Sequence, residues 1–229
     1  MARSLIRVVH GEIDTKVVAT RLIIPTRAQP EWPPLLRIAE SIASRSRQMP
    51  AHAHEGAEVL SLVIEGVATY QLGAGAAERL TPGCARLLTA PQRAMHRLSP
   101  AEGGAIRWFN LVVQLPPGTL GENHLQSATP SSPVVEVDDM RLRRLVGSSG
   151  PMVSVSGLEC QEMTFPREST TFPRIGANRK AVLYVLSGRG SVDSDPVELG
   201  DAAIVENLPG VAIHGEAGLE AILMTVPTP

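Results

Sequence analysis

Two histidines separated by one alanine, His52-Ala53-His54, stand just ahead of an apolar run. Glu58 follows four positions after the second, and a third histidine, His96, lies some forty residues on. In an extended strand, residues two apart project to the same side, so the imidazoles of His52 and His54 converge on one space. Imidazole nitrogen is a donor for iron, nickel, copper and zinc, and two preorganised donors are the beginning of a metal site. Two exposed loop histidines would read the same over so short a stretch, so the pair alone decides little. What must be established is whether the chain builds elements that bring distant segments to face each other.

Strand signals recur along the whole sequence. Val17 to Ile24 is β-branched and ends at Pro25; Glu58 to Tyr70 reads as two strands broken at Gly66; Ala85 to Thr89 and Ile106 to Leu115 follow, the last stopped by Pro116-Pro117. Between Leu35 and Ala43 apolar residues recur at helical spacing after Pro33-Pro34, a pattern open to a short helix or an edge strand. Residues 119–135 are rich in Pro, Gly, Ser and Thr and are read as a linker, beyond which strands resume. An internal repeat organises these segments. LVIEGVATYQLG and ERLTPGCARLLTAPQRAMH in the first half answer LYVLSGRGSVDS and VELGDAAIVENLPGVAIH in the second, each with strand, Gly, strand, Gly turn, strand, Pro and a terminal His. Two copies of one strand-turn unit imply two similar β domains in tandem: residues 1–118, the linker, and residues 136–229.

Composition agrees and excludes alternatives. The chain has 229 residues, 43% of them hydrophobic, so it can build a core, and its 20 Gly and 19 Pro cut it into short segments that suit strands and turns better than long helices. A net charge of -2 gives no general attraction to nucleic acid, and 3% aromatic content offers no stacking platform for single strands. The Arg141, Arg143 and Arg144 cluster is read as a solvated strand face. Cys84 and Cys160 form no CxxC and are expected to be reduced, buried thiols of a cytoplasmic protein, with Met49, Met95, Met140, Met152 and Met163 as core filler. No stretch approaches the roughly 20 apolar residues of a membrane span, and the N-terminus lacks a signal-like apolar region. There is no GxSxG, Walker A or dinucleotide fingerprint.

HxHx3E, a Gly, then Pro82-Gly83 and a later His is the pattern of a cupin, a small antiparallel β-barrel with a metal inside. Within that superfamily the chain resembles the pirins. MPAHAHEGAEVLSLVIEG is similar to their first motif, TPGCARLLTAPQRAMH to their second, and FNLVVQLPP to the strand that closes their N-terminal barrel. The likeness covers about residues 50 to 117, and the second half is similar to a degenerate C-terminal cupin. It implies an all-β fold of two tandem cupin (double-stranded β-helix, jelly-roll) barrels.

The resemblance further implies one divalent transition metal, usually iron, with Ni, Cu, Mn or Zn as alternatives, on His52, His54 and His96. Pirins add a Glu two residues after the last His; here that position is Leu98, which cannot ligate. Three arrangements stay open: Glu58 as the fourth ligand, as in the wider cupin family; three histidines with water; or a barrel that has lost its metal. Some pirin relatives are quercetin 2,3-dioxygenases, which implies a small flavonol-like aromatic substrate, with Glu58 as catalytic base where it is not a ligand. Other pirins are regulatory, which implies a protein partner instead; a monomer or homodimer suits either. Glu55 and Glu102 match no motif position and are expected in solvent. In the second half, counting back from Gly188 puts Arg174, Gly176 and Lys180 at the ligand positions, so that barrel is expected to be metal-free, with His214, the counterpart of His96, held in a structural hydrogen bond.

Overall fold

The computed structural model describes residues 5–27, 29–30, 32–101, 103–137, 139–176 and 178–228. In chain order the strands are β1 (Leu5–His10), β2 (Glu12–Asp14), β3 (Ala19–Ile24), β4 (Leu35–Ser44), β5 (His52–His54), β6 (Ala57–Glu65), β7 (Ala68–Leu72), β8 (Glu78–Leu80), β9 (Ala85–Ala90), β10 (Ala94–Pro100) and β11 (Ala105–Gln114). They continue as β12 (His124–Ala128), β13 (Val134–Val137), β14 (Met140–Val146), β15 (Glu159–Thr164), β16 (Ser169–Thr171), β17 (Arg179–Ser187), β18 (Arg189–Val192), β19 (Asp195–Glu198), β20 (Asp201–Glu206), β21 (Ile213–Gly215) and β22 (Glu220–Pro227). Among the described residues there is no helix, and so none long and apolar enough to cross a membrane.

These strands make two units with one plan. The first, Glu12–Ser131 with Ser154–Ser156, has a seven-stranded sheet in the order β12-β9-β6-β11-β4-β3-β2 and a four-stranded sheet β5-β10-β7-β8. The second, Met1–Gly11, Ser132–Val153 and Gly157–Pro229, repeats it as β1-β20-β17-β22-β15-β14-β13 and β16-β21-β18-β19. All strand pairs within these sheets are antiparallel, and the two sheets of each unit enclose its core, as expected for a cupin barrel. The repeat seen in the sequence covers β6 to β10 and β17 to β21; the structure extends it to eleven strands per unit.

Both glycines that anchor the repeat sit where only glycine fits. Gly66 has φ +78°, and a Cβ there would lie 2.1 Å from the Ala105 carbonyl oxygen; Gly188 has φ +75°, and its Cβ would lie 2.7 Å from the Gly218 oxygen. Each starts the tight turn that carries the chain from the large sheet to the small one.

Three features depart from the sequence expectations. The segment from Leu35 is neither helix nor edge: β4 is paired on both sides, with β11 and β3. Its middle, Ile38 to Ser41, is buried on both faces, which erases there the alternation that marks a strand. Residues 119–135 contain β12, which pairs with β9, and the beginning of β13. The chain's first strand, β1, pairs with β20 of the second unit, a partner some 190 residues away that no local pattern reveals. Unit boundaries therefore fall at 11/12 and 131/132 where the composition suggested 118 and 136.

Candidate metal centre

β5 is a three-residue strand held against β10 with His96 opposite His52 and Ala94 opposite His54. Directly opposed residues share a face, so all three imidazoles project the same way. That way is inward. On β10 the residues flanking His96 at two-residue spacing, Ala94 and Leu98, both belong to the apolar core between the two sheets, whereas Met95 between them is exposed.

The three side chains offer nitrogens that all lie within 4.8 Å of one another. His96 Nε2 and His52 Nε2 are 3.1 Å apart. At bond lengths of about 2.1 Å, two nitrogens subtending about 90–110° at one ion stand about 3.0–3.4 Å apart, so the pair already has the spacing of two ligands on a common metal. His52 Nδ1 donates to the Pro50 carbonyl at 3.0 Å, which leaves the lone pair on Nε2, toward the cluster. His54 Nε2 is buried without a hydrogen-bond partner, a cost that a bound ion would remove. His96 Nδ1 also lacks a partner, so its ring is oriented by packing, with Tyr70 5.6 Å away, rather than by a hydrogen bond.

Electrostatics favour ligands over cations. Burial first, and then the charge of His52, lowers the pKa of His54 to about 4 and that of His96 to about 3. Both rings are thus neutral at physiological pH, the form that binds a metal.

Glu58 does not join them. It lies on β6, fully buried, where the alternating residues Ala57, Val59 and Val63 face the barrel interior and Glu58 faces the opposite side of the sheet. The four-residue spacing from His54 suggests a shared face, but Gly56, at φ +63°, interrupts the extended backbone between β5 and β6 and breaks that parity. The carboxylate is saturated there. It accepts hydrogen bonds from Thr89 Oγ1 at 3.0 Å, Ser154 Oγ at 2.5 Å, Val155 N at 2.8 Å, Ser156 N at 3.1 Å and Ser156 Oγ at 2.5 Å. Neither a ligand's nor a base's role is open to an oxygen pair so engaged, and Glu58 instead fastens Ser154–Ser156 to the first unit.

Leu98, at the position of the pirin glutamate, points inward opposite Tyr70 and is buried in the core. Glu55 is exposed, and Glu102 lies outside the described residues. Cys84 and Cys160 are buried free thiols, the latter with its pKa raised by burial. Arg141 and Arg144 are exposed, while Arg143 pairs with Glu162. Met140, Met152 and Met163 are core residues, but Met95 is surface, because it alternates with His96 on β10.

Sequence reasoning passed over Arg37. On β4 it stands opposite Val112, which stands opposite Val59, and both valines line the interior. Arg37 therefore shares the interior face, half-buried, and its charge is felt at His54.

At the matching place in the second unit the structure corrects the counted positions. The counterpart of β5 is β16, so Ser169 and Thr171 stand where His52 and His54 might be sought, not Arg174 and Gly176. Seven residues separate β16 from β17, against two between β5 and β6, and counting back from Gly188 misses that insertion. His214 points outward, with its Nδ1 3.0 Å from Thr170 Oγ1 and its Nε2 3.5 Å from Glu168, while its neighbours Ile213 and Gly215 face in.

No family model and no curated protein matches the sequence. Among solved structures, one from Geobacillus kaustophilus superposes with a TM-score of 0.87 at 22% identity, covering 100% of this chain and 98% of that one. Quercetin 2,3-dioxygenase from Acinetobacter baumannii follows at 0.85 and 17% identity, covering 97% and 79%. The bacterial pirin YhhW from Escherichia coli, in complex with nickel(II), gives 0.82 at 14% identity, covering 98% and 100%. The chain has the all-β bicupin fold of the pirins.

Proposed function

We propose that the first barrel holds one divalent metal on His52, His54 and His96, and that the chain uses it as a dioxygenase of the quercetin 2,3-dioxygenase type. One observation carries this reading: three imidazoles from two strands converge inside a barrel, two of them already at ligand spacing. The likeness in fold to a nickel-bound pirin and to a quercetin 2,3-dioxygenase supports it.

Bound there, a redox-capable metal such as iron supplies coordination for a substrate oxygen and access to dioxygen, both atoms of which a dioxygenase places in its substrate. The chain's own residues do the rest. His52, oriented by Pro50, and His54 and His96, kept neutral by burial, would hold the metal. Leu98 withholds a fourth protein ligand, and Ala57, Val59, Ala94 and Val112 make an apolar wall that limits water. The buried free thiols suit a reducing, cytoplasmic setting.

Leu98 also favours a second reading, a regulatory protein that keeps a metal without turnover and acts on a protein partner. Metal analysis after growth in iron-supplemented medium, followed by quercetin consumption under air and under argon, tests both. Oxygen-dependent loss of quercetin with about one metal per chain supports the enzyme; a metal-loaded but inactive protein removes the flavonol assignment.

A further inference from the structure

Among the described residues, Arg86 and Arg37 both face the interior of the first barrel, and their situations differ. Arg86 stands opposite Ser61, on the inward face, and is satisfied: its Nη2 and Nε lie 2.6 and 3.1 Å from Glu78 Oε2, and Nη1 donates to the Ala85 carbonyl. Arg37 stands opposite Val112 on the same face, and among the described residues no hydrogen bond or ion pair joins its side chain to another group. Asp14 acts on it only as a more distant charge, and burial outweighs that charge by pulling the guanidinium's pKa below its ordinary value. A charged group half-removed from water without a partner is a standing cost. Here it is borne on the same interior face of the first barrel as the three-histidine cluster, and its charge is among those felt at His54.

We propose that Arg37 is a substrate-binding residue: it pairs with an oxyanion, the carboxylate or enolate of a substrate whose other oxygen reaches a metal on His52, His54 and His96. The planar fork of guanidinium N–H groups matches two adjacent anionic oxygens and selects them over neutral donors. The aliphatic wall of Ala57, Val59, Ala90, Ala94 and Val112 gives such a ligand a dry, unspecific flank, so that recognition falls on the metal and on Arg37. This rests on the metal centre proposed above.

The test uses cobalt(II)-loaded protein, whose visible absorption reports ligands entering the metal's coordination sphere. Oxalate serves as the carboxylate probe, maltol as the enolate probe and imidazole as a neutral control. Arg37→Met, which keeps the aliphatic stem, and Arg37→Ala should weaken binding of oxalate, maltol or both by about tenfold or more, with Arg37→Lys between. Imidazole affinity and cobalt content should stay within about twofold of wild type. The probe that loses more identifies the anion. Unchanged affinity for both anions overturns the assignment, as does an equal loss for imidazole, which would mean that the centre itself had been disturbed. A wild-type protein that takes up no cobalt overturns both this inference and the metal centre, and its metal content tells that failure from the others.

Discussion

The interiors of the two barrels at equivalent strands differ by little in backbone and by nearly everything in chemistry. In the first, His96 on β10 interrupts the apolar face between Ala94 and Leu98, the core divides into two clusters around it, and Ser61 donates to Asn110 on the same inward side. In the second, apolar side chains between Met140 and Leu223, Val192, Ile213 and Leu219 among them, pack against one another at the equivalent place. There the Phe165 ring occupies the space over Gly215, where a Cβ would approach within 2.4 Å. The inward face of such a barrel can be apolar throughout or can carry polar groups, and the choice rests on a few positions. His214 shows how fine the choice is. One residue along β21 in either direction would have faced it into the core, because strand side chains alternate.

The sharpest way to break this contrast is to remove ligands from the first barrel. His96→Ala should reduce metal from about one ion per chain to background, since two neighbouring imidazoles on one short strand make a poor site. Elemental analysis of protein from iron- or nickel-supplemented cells measures it. Metal that survives the substitution would have to be held elsewhere, and the second barrel's filled core would then need another explanation.

Glu58→Ala comes next. It strips the acceptor from donors on Thr89, Ser154, Val155 and Ser156, and should cost about 3 kcal/mol in denaturant unfolding, since buried donors left unsatisfied are expensive. Metal content of the folded fraction should not change. A folded variant without metal would return Glu58 to the ligand set.

How far the sequence could be read follows from the same residues. Gly66 and Gly188, Gly83 and Gly200 were legible as equivalent turns, because a position that only glycine can occupy leaves its mark in the chain. His52 and His54 were legible as a pair from their spacing within one strand, whereas His96, 42 residues on, joined them only through the resemblance to the pirin motifs. Glu58 entered the candidate ligands through the cupin motif alone, and a motif spacing does not show that Gly56, at positive φ, turns the strand face between His54 and Glu58. Arg37 was missed because the middle of β4 is buried on both faces and shows no alternation against which an inward cation stands out. Pairing of β1 with β20 is wholly non-local, and nothing in either segment announces the other.

In the second barrel, Gly215→Ala drives a methyl group into the Phe165 ring and should destabilise by about 1–3 kcal/mol, the usual cost of overpacking. A smaller penalty would mean that Phe165 can swing aside and that the filled barrel is softer than its packing implies. Leu98→Glu probes the first barrel in the opposite sense. The carboxylate would stand two residues beyond His96 on the inward face, so the metal-free variant should lose about 1–3 kcal/mol through burial of an unpaired polar group. Metal should restore that loss, seen as a larger rise in Tm on iron addition than wild type shows. If metal stabilises the variant no more than it does wild type, a carboxylate at position 98 does not reach the metal.

The smallest effect is expected at His214, and it separates sequence likeness from structural equivalence. His214 and His96 end the two copies of the repeat, yet His96 is buried at the cluster while His214 lies on the outer face of β21, bonded to Thr170 beside Glu168. An exposed hydrogen bond and an exposed ion pair contribute little, because water replaces each partner. His214→Ala should therefore shift stability by no more than about 0.5 kcal/mol and leave metal content at the wild-type value. Circular dichroism melts with elemental analysis of the same sample decide it. Loss of metal in His214→Ala would mean that the outward face of β21 takes part in binding, and the division of labour between the two barrels would fail at the point where the sequence makes them look most alike.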